Sequence, residues 1–296
     1  MRGVHKFVLY TRGHLNYSWR VACSVSPPPS KNAIADFWNA EPCGTRYLGE
    51  KSEFEAHSRA RYQLEPHIFD FAGFTSARGL RVLEIGVGIG ADYEQWLKAG
   101  AIASGVDLST SSLERAQRRC ELAGLLPDLR LADAENLPFA SDSFDVVYSY
   151  GVMHHSPNTA KCLTEARRVL KPGGEARVML YHHASLTGIM LWLRYGIWRT
   201  QSIRRCVYDN LESPGTKTFT RNEAFMLMRD FKNVSIDQVF SPGDLLLHQP
   251  SHKFRGPQYR LLWKIFPRGL LRICCRNWGL FLLITAQKPR ASKLIR

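Results

Sequence analysis

Residues Glu84-Ile85-Gly86-Val87-Gly88-Ile89-Gly90 constrain this chain more than any other stretch. A short apolar run of β type, Val82–Ile85, carries an acid at Glu84. Three glycines then alternate with small apolar residues, and helix-type sequence follows. The pattern predicts a strand turning tightly into a helix. Gly86, Gly88 and Gly90 can take backbone angles closed to other residues and let a ligand approach the main chain. The helix after them offers free N–H groups to an anion. The turn also satisfies the dinucleotide pattern G-x-G-x-x-G/A through Ala91, so by itself it leaves the nucleoside cofactor open.

The surrounding rhythm sets the fold class. Strands are expected at Arg81–Ile85, Ala103–Leu108, Leu129–Ala132, Phe144–Ser149 and Ala176–Tyr181. Helices are expected at Ala91–Ala99, Ser111–Ala123 and Thr159–Leu170, the last closed by Lys171-Pro172-Gly173-Gly174. Alternating short apolar strands and helices means a parallel sheet covered on both faces. Ahead of it, Ala35–Tyr47 reads as a short helix and turn, and Phe54–Phe74 as helix interrupted by Pro66. After Tyr181 the rhythm breaks into a helical insertion over Ala184–Asp230. A strand at Val234–Val239, a basic connection from Ser241 to Asn277 and a closing strand at Leu280–Ala286 follow.

Composition narrows the class. With 45% apolar and 22% charged residues the 296-residue chain is globular rather than disordered. Its seven cysteines form no CxxC pair, which argues for a reducing compartment and against a disulfide framework or zinc site. No metal site is expected. No apolar run reaches the roughly 20 residues a membrane span needs. Net charge is +14, and from Ser251 onward there are eleven basic residues and no acid. Such a face favours anionic partners. The first thirty residues are basic and end in Pro27-Pro28-Pro29, so they read as a presequence or an extension outside the fold.

Four further stretches, in order, decide between cofactors. They are Gly105-Val106-Asp107-Leu108-Ser109, Asp133-Ala134-Glu135-Asn136-Leu137-Pro138-Phe139, Ser143-Phe144-Asp145-Val146-Val147 and Arg168-Val169-Leu170-Lys171-Pro172-Gly173-Gly174. With them the chain resembles the class I S-adenosylmethionine-dependent methyltransferases, the type 11 group that includes ubiquinone and menaquinone biosynthesis enzymes. The resemblance covers about Leu80–Leu180. It implies a Rossmann-like, doubly wound α/β fold, with a mostly parallel seven-stranded sheet and a helical cap after strand 5. It also implies S-adenosylmethionine as cofactor. Glu84 would anchor the methionine ammonium, and Gly86, Gly88 and Gly90 would line the adenosyl–methionine path. Asp107, with Leu108 beside it, would take both ribose hydroxyls. Asp133 would accept from the adenine amino group, with Ala134 beside the ring. Tyr150 and Gly151 would touch the methionine part through backbone groups.

His154 and His155, directly after the fourth strand, are the candidates for a catalytic base. The alternative for each is packing or hydrogen bonding at a helix start. His182-His183 is a weaker version of the same idea. Tyr47 and Arg61-Tyr62 lie in the segment expected to cover the cofactor, where aromatic contact with the sulfonium competes with plain core packing. Leu186, Ile189, Met190, Leu193, Tyr195, Ile197 and Trp198 are expected to line an apolar acceptor pocket, with Glu212–Lys217 as a lid element. Phe254–Trp278 suits an amphipathic helix at a membrane surface. The expected organisation is an extension over 1–31 and a covering segment over 32–78. The cofactor core spans 79–183, the cap 184–232, and the final strands with their basic insertion 233–296. The expected function is methyl transfer to a small hydrophobic or lipid-like acceptor, at O or C, by a cytoplasmic enzyme in peripheral contact with anionic membrane. A nucleic-acid methyltransferase is disfavoured, because Ser149-Tyr150-Gly151-Val152 departs from the Asn/Asp-Pro-Pro-Tyr/Phe element. An NAD-dependent oxidoreductase remains the other alternative.

Overall fold

The computed structural model describes residues 30–40, 49–211, 215–247, 261 and 263–290. Seven strands, β1 (Arg81–Ile85), β2 (Ile102–Asp107), β3 (Asp128–Leu131), β4 (Phe144–Tyr150), β5 (Leu170–Tyr181), β6 (Lys232–Val239) and β7 (Phe281–Gln287), form one sheet. Their order is β3-β2-β1-β4-β5-β7-β6. The first five pair parallel, and β7 runs antiparallel between β5 and β6. The fold class expected from the sequence is the one observed.

Ten helices can be followed among the described residues: α1 (Lys31–Ala40), α2 (Lys51–Leu64), α3 (His67–Ala72), α4 (Ala91–Lys98), α5 (Thr110–Leu122), α6 (Thr159–Val169), α7 (Leu186–Leu191), α8 (Ile203–Asn210), α9 (Arg221–Leu227) and α10 (Arg268–Cys274). Pro66 divides α2 from α3, since its ring cannot continue the backbone ladder. Ser109 and Asn158 cap α5 and α6 through their side chains. Helix α1 begins at Lys31, so Lys31 belongs to the folded part and not to the expected extension.

Period-two alternation splits each central strand between two cores. Leu83 and Ile85 pack with α6 and α9, through Leu163, Val169, Ala224 and Met228. Val82, with Tyr93, Trp96, Ala116 and Phe71, packs with α3, α4 and α5 on the opposite face. Strand β5 is longer than its apolar run. Leu170 pairs with Phe144 and Glu175 with Val146 across a register break, and between them Gly173 N–H reaches Lys288 O at 2.9 Å.

The stretch read as an irregular basic connection holds an anchor. Asp244 is fully buried. It accepts from Thr187 N and Oγ1 (both 2.8 Å), from Ser241 N (2.8 Å) and Oγ (2.9 Å), and from Leu280 N (2.8 Å). One carboxylate therefore joins the start of α7 to the start of β7. Among the described residues no helix is long and apolar enough to cross a membrane. Residues 1–29, Tyr47, Glu212-Ser213-Pro214 and most of 248–262 lie outside the described residues.

Replacing Asp244 with Ala strands buried donors on three segments. We expect a loss of about 3 kcal/mol or more in urea denaturation, with Asp244→Asn intermediate.

Candidate functional site

The glycine turn opens a cavity of about 210 Å³ at the carboxyl ends of β1, β2 and β4. Its floor is the turn itself. Gly86, Gly88 and Gly90 all have positive φ (81°, 54° and 80°). A Cβ on Gly88 would meet nothing within 4 Å, so the main chain there lies open to a ligand. Gly88 N–H donates to Asp107 Oδ2 at 2.8 Å and Ser109 N–H to Oδ1 at 2.9 Å, which holds the carboxylate beside the turn.

Two helices that precede the sheet in sequence wall the other side. On α1, Lys31, Ile34 and Trp38 recur at helical spacing and face the cavity; on α2, His57 and Arg61 do the same. Lys31 Nζ pairs with Asp133 Oδ2 at 2.5 Å and Glu135 Oε2 at 2.8 Å, fastening α1 across the rim. The Trp38 ring meets the His155 ring edge-on at 5.3 Å.

Buried charge concentrates beneath α2. Arg61 clasps Asp92 through Nε (2.9 Å) and Nη2 (2.6 Å), while Tyr62 and Tyr148 donate hydroxyls to the same carboxylate at 3.1 and 2.8 Å. Burial alone would raise the Asp92 pKa; the Arg61 charge and these hydrogen bonds outweigh it and hold the carboxyl below its usual range. For Glu84 the Arg61 charge does not suffice. Burial first, and then the Asp92 charge, push its pKa well above the carboxylate range. Its Oε2 is buried without a hydrogen-bond partner, and the residue lines the cavity. A cationic group arriving in the cavity would satisfy it.

These residues meet the demands of S-adenosylmethionine. An unsatisfied acid suits the ammonium, a paired carboxylate on β2 suits the ribose, and an open glycine backbone suits close approach. A family model described as "Methyltransferase domain" matches residues 83–178. Demethylmenaquinone methyltransferase of Tropheryma whipplei is 31% identical over 188 residues, covering 61% of this chain and 76% of that enzyme. The chain belongs to the S-adenosylmethionine-dependent methyltransferases. Phthiotriol/phenolphthiotriol dimycocerosates methyltransferase 1 of Mycobacterium ulcerans is 44% identical over 98 residues, 32% of this chain, and the chain spans only 35% of its length. Phosphatidylethanolamine N-methyltransferase of Cereibacter sphaeroides is 36% identical over 115 residues, 38% of this chain and 56% of that enzyme. Among solved structures, phosphoethanolamine N-methyltransferase 2 of Haemonchus contortus has TM-score 0.57 at 21% identity, covering 87% of this chain and 60% of that one. The cyclase SpnF has TM-score 0.52 at 16% identity, covering 88% and 94%. Both show the fold alone, and a cyclase on it shows why the fold does not name a reaction.

Family membership removes the dinucleotide alternative left open by the turn. Within this methyltransferase the cavity brings together Glu84, Gly86, Gly88, Asp107, Leu108, Asp133, Ala134, Tyr150 and Gly151. Gly90 is not among the lining residues. It starts α4, and a Cβ there would press on Ala116 of α5 at 3.0 Å, so its glycine serves helix packing. The two catalytic candidates also separate. His155 lines the cavity, its Nδ1 3.2 Å from Thr216 Oγ1. His154 is fully buried off the cavity, its ring 3.9 Å from that of Tyr181, and burial pushes its pKa far down. His182 likewise turns away, toward Ala184 O and Gln238. Among the described residues no three His, Cys, Asp or Glu side chains gather as metal ligands.

Tyr62 is held by Asp92 and by the Phe69 ring, and Arg61 lies over the Tyr150 ring at 5.1 Å. None of the seven apolar residues expected to form an acceptor pocket, from Leu186 to Trp198, lines the cavity. Leu193, Ile197 and Trp198 are exposed instead. Helix α7 packs on α8 and starts at the Asp244 anchor. Sequence reading missed Lys31, Ile34 and His57. Their signal was the i, i+3, i+7 spacing on α1 and the i, i+4 pair with Arg61 on α2.

Two measurements follow from this geometry. A Cβ at Gly86 would strike the Val152 side chain at positive φ, so Gly86→Ala should cost about 2 kcal/mol or more of stability. Gly88→Ala carries only the backbone strain, about 1 kcal/mol, but projects into the cavity, so cofactor affinity should fall more than the thermal midpoint. Second, burial, then Arg119 and Arg61, push the His57 pKa down to about 4, and burial with Arg61 does the same to His67. Unfolded histidines take up protons near pH 6.5 that these two refuse until about 4. Stability should therefore fall as pH drops from 6.5 toward 4. Denaturation across that window should show the slope, shallower in His67→Gln.

Proposed function

We propose that this protein transfers a methyl group from S-adenosylmethionine to a small hydrophobic or lipid-like acceptor, at oxygen or carbon. The observation that carries the reading is Glu84, a buried acid with an unsatisfied oxygen at the floor of a glycine-lined cavity. Bound S-adenosylmethionine supplies an activated sulfonium methyl, so transfer is an in-line displacement that asks chiefly for alignment and exclusion of water. Glu84 receives the ammonium, and Asp107 uses its remaining lone pairs for the ribose hydroxyls, with Leu108 alongside. Asp133 meets the adenine amino group while Ala134 packs on the ring, and the Lys31 contact steadies that carboxylate. Gly86, Gly88, Tyr150 and Gly151 offer backbone groups. His155 takes the acceptor's proton, with positioning of the loop after β4 as its alternative role.

The acceptor class is supported by the apolar wall of Ile34, Trp38 and Val152. The names of relatives point the same way: phthiotriol dimycocerosates, phosphatidylethanolamine and demethylmenaquinone. In this reading residues 32–78 cover the cofactor, 79–183 hold it, and 184–232 with 233–296 face the acceptor's side. A cytoplasmic enzyme of this kind meets its acceptor at a membrane, and the basic stretch ending at Trp278 suits that contact.

Calorimetric titration tests the proposal. S-adenosylmethionine and S-adenosylhomocysteine should bind and NAD should not. Asp107→Ala should weaken S-adenosylmethionine by roughly tenfold or more, the worth of two charge-assisted hydrogen bonds. Tight NAD binding without S-adenosylmethionine binding would overturn the reading.

A further inference from the structure

Two segments hold much of the apolar surface that the fold leaves uncovered. Eight of the fourteen large apolar side chains exposed among the described residues lie within 193–198 and 261–278. Trp198 is 87% exposed and Ile273 71%. After α7 the chain makes a π turn over Trp192–Gly196 and a 3-10 turn over Ile197–Arg199, ended by Thr200 at φ 51°. That path leaves Leu193, Ile197 and Trp198 exposed. Helix α10 buries none of its residues, and Leu270 and Ile273 lie open on it.

Both segments leave from one place. Leu186 N–H donates to Trp278 O at 2.9 Å. Asp244 bonds Thr187 and Leu280, and Arg268 reaches back to Leu245 O and Leu246 O at 3.0 Å. The anchor sits where β5 ends and β7 begins, at the same end of the sheet as the cavity.

Charge makes this end one-sided. Residues 184–208 contain Arg194, Arg199, Arg204 and Arg205 and no acid, with Arg204 and Arg205 paired to Glu223 and Asp209 beyond that stretch, and 251–296 contain no acid either. Asp244, the one acid between 240 and 296, is fully buried with both oxygens bonded. Exposed tryptophans on two segments that carry arginines and no exposed acid of their own match the headgroup layer of an anionic bilayer.

We propose that this end of the molecule docks on an anionic lipid bilayer. Leu193, Ile197 and Trp198 enter the headgroup layer from one side of the anchor and Leu270, Ile273 and Trp278 from the other, and the acceptor is drawn from that layer. Drawing the acceptor rests on the lipid-like substrate proposed above; docking does not.

Co-sedimentation of the full chain with phosphatidylcholine vesicles, with and without phosphatidylglycerol, tests this. Binding should require phosphatidylglycerol and weaken with salt. Trp198→Ser with Ile273→Ser should lower it about tenfold. Arg272→Glu with Arg276→Glu should lower it by about fivefold or more for each charge removed. Circular dichroism and S-adenosylmethionine titration should be unchanged in all four substitutions, since none of these residues lines the cavity. Binding independent of phosphatidylglycerol or unmoved by the variants would overturn the proposal. So would self-association that the serine variants abolish in place of vesicle binding. Failure of S-adenosylmethionine to bind wild-type protein sinks the methyltransfer reading while leaving docking to stand or fall on the vesicles.

Discussion

The cavity depends on one buried ion pair. Arg61 comes from the helical segment ahead of the sheet and Asp92 from the first turn of the helix after the glycine loop, and their bidentate contact closes the first onto the second. A charge pair taken out of water is weak evidence for stability unless its remaining hydrogen-bonding capacity is met. Here Tyr62 and Tyr148 meet it, and Tyr148 belongs to β4, so the pair draws helix, loop and sheet to one point. Arg119 repeats the device nearby: it donates to Glu94, to the Phe54 carbonyl on α2 and to the Ile89 carbonyl inside the glycine loop. These two arginines, with the Tyr62 hydroxyl on the Ala91 carbonyl and the buried Phe54 ring, hold α2 over the loop.

That arrangement explains the division of charge in the cavity. Asp92 is satisfied internally and Asp107 is braced by two backbone N–H groups, while Glu84, between them, is left with an unmet oxygen. Arg61 bonds Asp92, and its charge only partly offsets the burial of Glu84. Lys31 at the rim is likewise occupied, by Asp133 and Glu135. A cation entering the cavity therefore finds one acid waiting for it, and the position of that acid follows from which carboxylates the protein has already neutralised.

Much of the sheet was legible because its signals are local. Glycines after an apolar run, an acid at the end of β2, side-chain caps at Ser109 and Asn158 and the Pro172-Gly173-Gly174 break each act within a few residues. Most helix and strand bounds therefore fell within a residue or two of expectation, β5 starting earlier at Leu170, and nine of the ten residues expected on the cofactor side line the cavity. Gly90 does not line it, and nothing in the turn distinguishes a glycine facing a cavity from one packed on a neighbouring helix. The histidine pair separates for a related reason. His154 and His155 are adjacent in sequence, and only the packing of Tyr181 against one and Trp38 against the other separates a core side chain from a cavity wall.

The sequence by itself determined the sheet, its glycine turn and the family to which the chain belongs, because those rest on backbone angles and short-range periodicity. Tertiary structure decided everything that depends on contacts between distant segments. Arg61 meets Asp92 across 31 residues, Lys31 meets Asp133 across 102, and Asp244 joins Thr187 to Leu280. It also left Leu193, Ile197 and Trp198 exposed. Amphipathic spacing states that a helix has an apolar face but not what that face will meet, and here Asp244 ties the start of α7 to Leu280. The glycine turn was readable in one dimension; the walls that make it a site exist only in three.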